Sequence, residues 1–309
     1  MKLATFKEKN QEKIGIVLDG CKTILDIKKA DYLLNKTENN CYNTMLDLID
    51  NWDLVKINID VILENPPENA ISYISNIKLL PPIPIPRKIR DCIAFEEHLL
   101  NCKKLFEQKG YSYAIPKVWY QQPIYYKGNC YSAIGHGQDV ICPNYSSVLD
   151  YELELGCIIG KKGINVNKKD GLLYVFGYTI FNDASARDMQ AIEMPGQLGP
   201  AKSKDFDTGN ILGPWIVTSD EIPDPQNLKM TVKVNGELRG MGNSKDMHFT
   251  FSDIISFLSK SETLIPGEII GSGTVGTGSG FEQGKFIKSG DIVELEIEKI
   301  GVLKNRFII

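Results

Sequence analysis

The sequence lacks several features that would assign a protein to a class at once. It has no run of about 18 apolar residues that could form a membrane span, and its first residues lack the apolar segment of a signal peptide. Its seven cysteines include no C-x-x-C pair, which argues against a disulfide framework or a structural zinc site. With a net charge of -4 and scattered lysine and arginine, it presents no basic surface for nucleic acid. These absences predict a cytoplasmic protein without a nucleic-acid or membrane partner.

The chain has enough material for a large core, because 42% of its 309 residues are hydrophobic and 24% are charged. A proline-rich stretch at residues 80–86 interrupts any helix or interior strand, and it predicts a boundary between a small N-terminal α/β domain over 1–80 and a larger domain over 81–309. The patterns in the first domain predict strands at 2–6, 13–18 and 23–27 and helices at 44–50 and 68–78.

The second domain is predicted to be mainly β with some helix, an α+β class, because strand patterns far outnumber helical ones. Three segments have helical spacing, at 94–108, 168–173 and 252–260. Alternating or continuous β-branched patterns predict strands near 138–142, 150–159, 174–182, 214–218, 229–234, 267–274, 291–298 and 300–308.

An acidic strand is the first sign of chemistry. Asp150, Glu152 and Glu154 alternate with Tyr151 and leucines, so a strand here places the acids on one face. Partly desolvated like charges a few ångströms apart cost on the order of several kcal/mol unless a proton or cation separates them. The segment therefore suggests a metal site, with a solvated acidic face as the alternative.

Two further acids extend this hypothesis. Asp183 ends the next predicted strand and adds a third carboxylate if the two strands are neighbours, and Asp91 is a possible fourth ligand. Because no histidine or cysteine lies nearby in sequence, the oxygen ligands favour Mg²⁺, Mn²⁺ or Ca²⁺ over zinc.

The helix at 94–108 carries a candidate base. Asp91 is predicted to cap this helix, and His98 lies seven residues later, so both side chains would share a face and address one cavity. The alternative for His98 is a partly buried surface histidine.

Cationic and polar candidates follow the second acidic strand. Ser185 is predicted to cap a short turn that places Arg187 and Gln190 on one face, where they suit a substrate carboxylate. Lys204 offers an ammonium group, with an ordinary surface lysine as the alternative.

A glycine run at 271–276 fits the G-x-G-x-x-G pattern of dinucleotide-binding proteins. The residues that follow cannot open a helix, and too few remain to complete a nucleotide-binding sheet. We expect these glycines to allow close approach of the backbone to a ligand, or to form a flexible loop.

Five motifs in order give a family resemblance over about residues 87–309: D-Y-E-L-E at 150–154, G-Y-T-x-x-N-D-x-S-A-R-D-x-Q at 177–190, K-x-F-D-T at 204–208, L-G-P-W at 212–215 and G-S-G-T at 271–274. With these motifs the chain resembles the fumarylacetoacetate hydrolase family. The resemblance implies a mixed β-sandwich roll that is commonly dimeric, so a homodimer is expected. It also implies a divalent cation held by Glu152, Glu154 and Asp183, with Asp91 as a further ligand.

The resemblance also implies roles for other residues. His98 stands where the family keeps its general base, and Asn101 stands where shorter members place an acid beside that base. Glu282 is therefore the expected acidic partner of His98, with Glu97 as the alternative. The residues expected to line the metal and substrate pocket are Lys204 and Thr208, and those expected to contact substrate are Tyr126, Arg187, Gln190 and Thr274.

The predicted function is that of a divalent-metal-dependent hydrolase, with Mg²⁺ as the first choice of metal. It would cleave a carbon–carbon bond in a small anionic 1,3-dicarbonyl 2-oxo acid, such as an acylpyruvate or a fumarylacetoacetate-like acid from aromatic degradation. His98 would activate the attacking water, and Lys204 and the metal would stabilise the enolate. The alternatives are an oxaloacetate decarboxylase, a lyase or an oxo-dienoate isomerase on the same site, and a non-catalytic metal-binding protein.

Overall fold

Nineteen strands make up most of the regular structure in the computed structural model, which describes residues 1–309. Most are short, and the longest lie in the centre of the molecule. The strands are β1 (Lys2–Glu8), β2 (Gln11–Leu18), β3 (Thr23–Asp26), β4 (Ile71–Tyr73), β5 (Lys78–Leu79), β6 (Lys88–Cys92), β7 (Tyr125–Gly128), β8 (Ala133–Ile134), β9 (Val140–Ile141), β10 (Leu149–Asp150), β11 (Leu153–Ile159), β12 (Val175–Asp183), β13 (Ser185–Ala186), β14 (Asn210–Thr218), β15 (Lys229–Val234), β16 (Glu237–Asn243), β17 (Glu268–Gly271), β18 (Ile292–Ile297) and β19 (Gly301–Ile308).

Six α-helices lie outside the sheets, and none is long and apolar enough to cross a membrane. Short 3-10 turns occur between them, including one at Lys168–Tyr174 and one at Phe281–Gln283. The helices are α1 (Ile27–Asn35), α2 (Met45–Asp50), α3 (Trp52–Glu64), α4 (Glu96–Gln108), α5 (Arg187–Glu193) and α6 (Phe251–Leu258).

One mixed sheet of twelve strands runs through the whole chain in the order β4-β3-β2-β1-β14-β12-β11-β17-β6-β7, with β5 on β1 and β8 on β14. A second sheet of five strands has the order β16-β15-β18-β19-β9, and β10 and β13 form a separate pair. Only β17–β6, β14–β8 and β19–β9 are parallel. This mixed, double-sheet architecture confirms the predicted fold class.

Apolar residues cover both faces of the large sheet. On one face, alternate residues of β11 such as Leu153 and Leu155 pack with the five-stranded sheet and with α6. On the other face, Ile158, Phe181 and Ile269 pack with α2 and α3. Because both faces are buried, any charged group in the middle of this sheet is withdrawn from water.

The N-terminal segment continues the large sheet, since β1 pairs with β14 at Leu3 and Ile216 and both residues belong to the same apolar cluster. The division at residue 80 therefore separates no independent sheet, and a separate N-terminal domain stays a prediction. The helix predicted at 68–78 is wrong: this segment holds β4 and β5 joined by 3-10 turns. The helices at 27–35 and 52–64 were not predicted.

Two predicted helix caps are also wrong. Asp91 lies in β6 rather than before α4, whose N-cap is Phe95. Ser185 lies in β13 and its hydroxyl donates to the carbonyl of Asp183, while Ala186 is the N-cap of α5. In both places pairing with a neighbouring strand determines the backbone conformation, which a local capping pattern does not reveal.

Candidate active site

Three carboxylates from three strands meet on the helix-covered face of the large sheet. Asp91 of β6, Glu154 of β11 and Asp183 of β12 are all buried, and one oxygen of each lies within 4.8 Å of an oxygen of the other two. Period two explains the common face, because Asp91 follows Ile89 by two residues and Asp183 follows Phe181 by two, and both apolar residues face α2 and α3. The solvated alternative for the acidic strand is therefore wrong.

A glycine makes this meeting possible. β17 lies between β6 and β11, and its Gly271 pairs with Asp91 on one side and Gly156 on the other. A Cβ on Gly271 would lie 2.1 Å from Asp91 Oδ1 and 2.6 Å from Glu154 Oε2. The missing side chain thus leaves room for carboxylates from both flanking strands. The run 271–276 opens no helix, as expected, and its close contact is with these carboxylates.

The three carboxylates fit a divalent cation. Burial raises the pKa of Asp91 and of Glu154 well above the ordinary range. Asp183 raises the pKa of Asp91 further, and Asp91 and Asp183 raise that of Glu154. Burial also raises the pKa of Asp183, although Lys204 opposes it. Asp91 Oδ1 and Glu154 Oε1 have no hydrogen-bond donor. Buried oxygens without donors, in a set of hard ligands, match the requirements of Mg²⁺, Mn²⁺ or Ca²⁺.

Glu152 lies beside this triad but is held by two cations. Its carboxylate accepts from Lys204 Nζ at 2.6 Å and from Arg187 Nη2 at 2.7 Å. Lys204 Nζ also donates to Asp183 Oδ2 at 2.6 Å, so one ammonium joins Glu152 to the triad. Burial raises the pKa of Glu152, but Lys204 and Arg187 outweigh it and the net pKa is lowered. Glu152 is therefore ionised, and Lys204 links it to Asp183 of the triad.

His98 lies buried on α4 and faces Glu282, which belongs to the 3-10 turn Phe281–Gln283 after β17. Its Nδ1 lies 3.3 Å from Glu282 Oε2, and its Nε2 lies 3.7 Å from the sulfur of Cys102. Burial lowers the pKa of His98, but Cys102 and Glu282 raise it and the net pKa lies well above the ordinary value. The geometry matches Glu282 as the acidic partner, whereas the carboxylate of Glu97 packs on Gly276.

Glu282 is itself held in place. It accepts from Asn101 Nδ2 at 3.0 Å and from the backbone N–H groups of Thr277 at 3.0 Å and Ser279 at 3.1 Å. Ser279 in turn forms a β-bridge with Glu152, so the turn that carries Glu282 lies against the acidic strand. The histidine pair and the metal-ligand candidates thus belong to one site.

The remaining predicted residues divide by what their side chains contact. Tyr126 donates to Asp183 Oδ1 at 2.8 Å, so it orients one of the clustered acids. Gln190 accepts from Arg187 Nη1 at 2.9 Å. Thr274 is buried directly after Gly273, whose N–H donates to Glu154. The hydroxyl of Thr208 accepts from the backbone of Ile141 instead, so the structure does not direct it to the carboxylates.

Asp150 contacts residues of the site, although the sequence analysis assigned it no role. It is fully buried and accepts four hydrogen bonds, two from Arg187 and one each from the backbone N–H groups of Gly280 and Phe281. The alternation with Glu152 and Glu154 was a signal for it. Its partners were not readable from the sequence, because the 280–281 turn is brought to it only by the fold.

Two packed sheets with a buried carboxylate triad beside a histidine–glutamate pair define a metal-site protein of the mixed β class. The family model for the fumarylacetoacetate (FAA) hydrolase C-terminal domain matches residues 88–308. The chain belongs to the fumarylacetoacetate hydrolase family, which confirms the resemblance seen in the motifs.

Relatives and solved structures agree with this assignment. The chain is 34% identical to "Oxaloacetate tautomerase YisK" of Bacillus subtilis (strain 168) over an alignment of 317 positions that covers 99% of each chain. It is 36% identical to the mitochondrial "Oxaloacetate tautomerase FAHD2A" of Homo sapiens over 76% of this chain and 70% of that one. Maleylpyruvate hydrolase from Sphingobium sp. SYK-6, in complex with manganese(II) and pyruvate, superposes with a TM-score of 0.76 at 25% identity over 100% of this chain and 99% of that one.

Proposed function

We propose that the protein is a divalent-cation-dependent enzyme of 2-oxo acids and that it interconverts the keto and enol forms of oxaloacetate. The buried His98–Glu282 pair beside the carboxylate triad carries this proposal, because tautomerisation needs a proton carrier next to a group that binds the oxo acid. The 34% identity to an oxaloacetate tautomerase over nearly the full length of both chains supports the choice of substrate.

The cation would be held by Asp91, Glu154 and Asp183, with Glu152 next to them. When bound, it would polarise the 2-oxo acid as a Lewis acid. Lys204 donates to Glu152 and Asp183, and Arg187 donates to Glu152, so we assign both cations to fixing these two acids.

His98 would move the proton. In the direction from enol to keto, its imidazolium would donate a proton to C3 of the substrate, and the electron pair of the C=C bond would form the new C–H bond. The enol O–H bond would break, its electron pair would form the C=O bond, and its proton would pass to solvent, from which His98 takes a proton back. The raised pKa of His98 favours the imidazolium, which suits this direction, and Glu282 stabilises that charge. The reverse direction uses the neutral imidazole as a base. No attacking water and no cleavage of a carbon–carbon bond are required.

The hydrolase predicted from the sequence is the second candidate. The fold match to a maleylpyruvate hydrolase with manganese and pyruvate over the whole chain favours it. The same His98–Glu282 pair would then activate water, for which the imidazole must be neutral, and the raised pKa of His98 opposes this at neutral pH. The specific metal and the homodimer stay predictions in either case.

The test uses the purified full chain with Mn²⁺ or Mg²⁺ and two substrates. We expect the enol absorbance of oxaloacetate to fall faster with the protein than without it. His98→Ala should lower kcat by about 10²-fold or more without changing the affinity for the cation. His136→Ala is the control, because that histidine is partly buried and accepts from the backbone N–H of Lys304. Release of pyruvate from an acylpyruvate, with no acceleration of the loss of oxaloacetate enol, would establish the hydrolase. Conversion of oxaloacetate to pyruvate would establish the decarboxylase.

A further inference from the structure

Asp150 lies where the two halves of the site meet. Its backbone is fixed by the β10–β13 pair, opposite Ser185, and its side chain is fully buried. Neither the proton transfer nor the cation site described above uses its carboxylate. The four hydrogen bonds that it accepts nevertheless come from groups that position site residues.

One side of Asp150 holds the acidic cluster. Oδ2 accepts from Arg187 Nε at 2.9 Å and from Nη2 at 2.7 Å, and the same Nη2 donates to Glu152 at 2.7 Å. A guanidinium held by two bonds to one carboxylate has a fixed orientation. Asp150 therefore sets where Arg187 places Glu152.

The other side of Asp150 holds the turn that carries Glu282. The N–H of Gly280 donates to Oδ1 at 2.9 Å and the N–H of Phe281 donates to Oδ2 at 2.9 Å. Phe281 is the residue before Glu282, and its ring lies 5.1 Å from the Arg187 guanidinium. Loss of Asp150 would leave the buried N–H of Gly280 and the partly buried N–H of Phe281 without an acceptor, and it would free the backbone next to Glu282.

We propose that Asp150 is a positioning residue that couples the His98–Glu282 pair to the acidic cluster. The role of the His98–Glu282 pair rests on the proposed function, whereas the link through Asp150 rests on the hydrogen bonds described above. In this role Asp150 acts through Arg187 on Glu152 and through the 280–281 backbone on Glu282.

A double-mutant cycle with the Mn²⁺-loaded full chain tests the coupling. We expect Asp150→Asn and Glu282→Gln each to lower kcat by roughly tenfold or more, with smaller changes in KM. Because both variants disturb one unit, the double variant should match the slower single variant within about twofold. Effects that multiply would overturn the proposal.

Amide hydrogen exchange of residues 276–284 without substrate gives a second readout that is independent of turnover. Gly280 and Phe281 donate to different oxygens of Asp150, and Asn keeps only one acceptor oxygen. Asp150→Asn should therefore speed exchange by about tenfold at whichever of the two N–H groups faces the amide nitrogen, the equivalent of one lost hydrogen bond. Glu268→Gln is the matched control, because Glu268 is equally buried but bonds to Ile265 and pairs with Arg90. Unchanged exchange in Asp150→Asn would refute the link even if the reaction is a different one, and absent turnover in the wild type would refute the proposed function alone.

Gly280→Ala breaks the same contact from the turn side, which matters if Asp150→Asn does not fold. Its Cβ would lie 2.6 Å from Asp150 Oδ1 and 2.3 Å from the carbonyl of Lys285, so the turn must move away from Asp150 while Arg187 keeps both of its bonds. We expect the same rise in exchange and the same loss of kcat. Wild-type values for both would contradict the proposal.

Discussion

Filling the space beside Gly271 gives the sharpest test of the carboxylate site, because Gly271→Ala changes no charge and removes no ligand. A methyl group in Gly271→Ala would lie 2.1 Å from Asp91 Oδ1 and 2.6 Å from Glu154 Oε2, distances that no Cβ contact tolerates. Both carboxylates must rotate away, and the arrangement within 4.8 Å is lost. We expect cation binding to weaken while every ligand is still present.

The magnitude follows from the contacts. Disturbing the groups that orient metal ligands typically lowers metal affinity by about 10- to 100-fold, which equals roughly 1.4 to 2.7 kcal/mol. Overpacking adds a cost of about 1 to 3 kcal/mol in stability. The ring of Phe181, 2.9 Å from the new methyl group, contributes to that cost.

Calorimetric titration of chelator-treated protein with Mn²⁺ measures the affinity, and a melting curve checks the fold. Gly196→Ala is the control, because nothing lies within 4 Å of its Cβ and its φ is ordinary. If folded Gly271→Ala bound Mn²⁺ as tightly as the wild type, the triad would not be the cation site.

Three further predictions concern groups around the triad. Lys204→Met leaves Glu152 and Asp183 without their shared cation, so the metal-free variant should lose about 3 to 5 kcal/mol of stability and regain part of it with Mn²⁺, as followed by melting temperature. Burial raises the pKa of Glu282, but His98 and the hydrogen bonds outweigh burial and the net pKa is lowered. The stability that Glu282 contributes is therefore present above the unfolded pKa near ~4.3 and is lost as pH falls through the folded pKa. The wild type should melt at a higher temperature than Glu282→Gln at pH 6, and this difference should disappear in acid. Tyr126→Phe removes the donor to one oxygen of Asp183 and should cost about 1 to 3 kcal/mol in urea unfolding.

Exposed residues provide the controls for these variants. Lys202→Met removes a surface ammonium close to Lys204 in sequence, and Tyr131→Phe removes the hydroxyl of an 80% exposed ring. Neither should change stability by more than about 0.5 kcal/mol. An equal loss in Lys202→Met, or a lead of the wild type over Glu282→Gln that persists in acid, would contradict the assigned contacts.

The sequence predicted most strands because β-branched alternation is a local signal. The predictions failed where local patterns compete with pairing, as at residues 68–78 and at Asp91, which is part of a strand instead of a helix cap. Hydrogen bonds to a neighbouring strand override a capping preference of about 1 kcal/mol. Which strands become neighbours is a long-range property that no local window contains.

The sequence by itself determined the family, through five motifs in order, and the set of acids that face one side of the sheet, since period two fixes the face of a strand residue. Only the tertiary structure decided how these acids meet. It placed Gly271 between Asp91 and Glu154, and it brought Glu282 from a distant turn to His98. The physical reason is that strand order and loop packing depend on the burial of the whole core, whereas the face of a side chain depends on its own backbone.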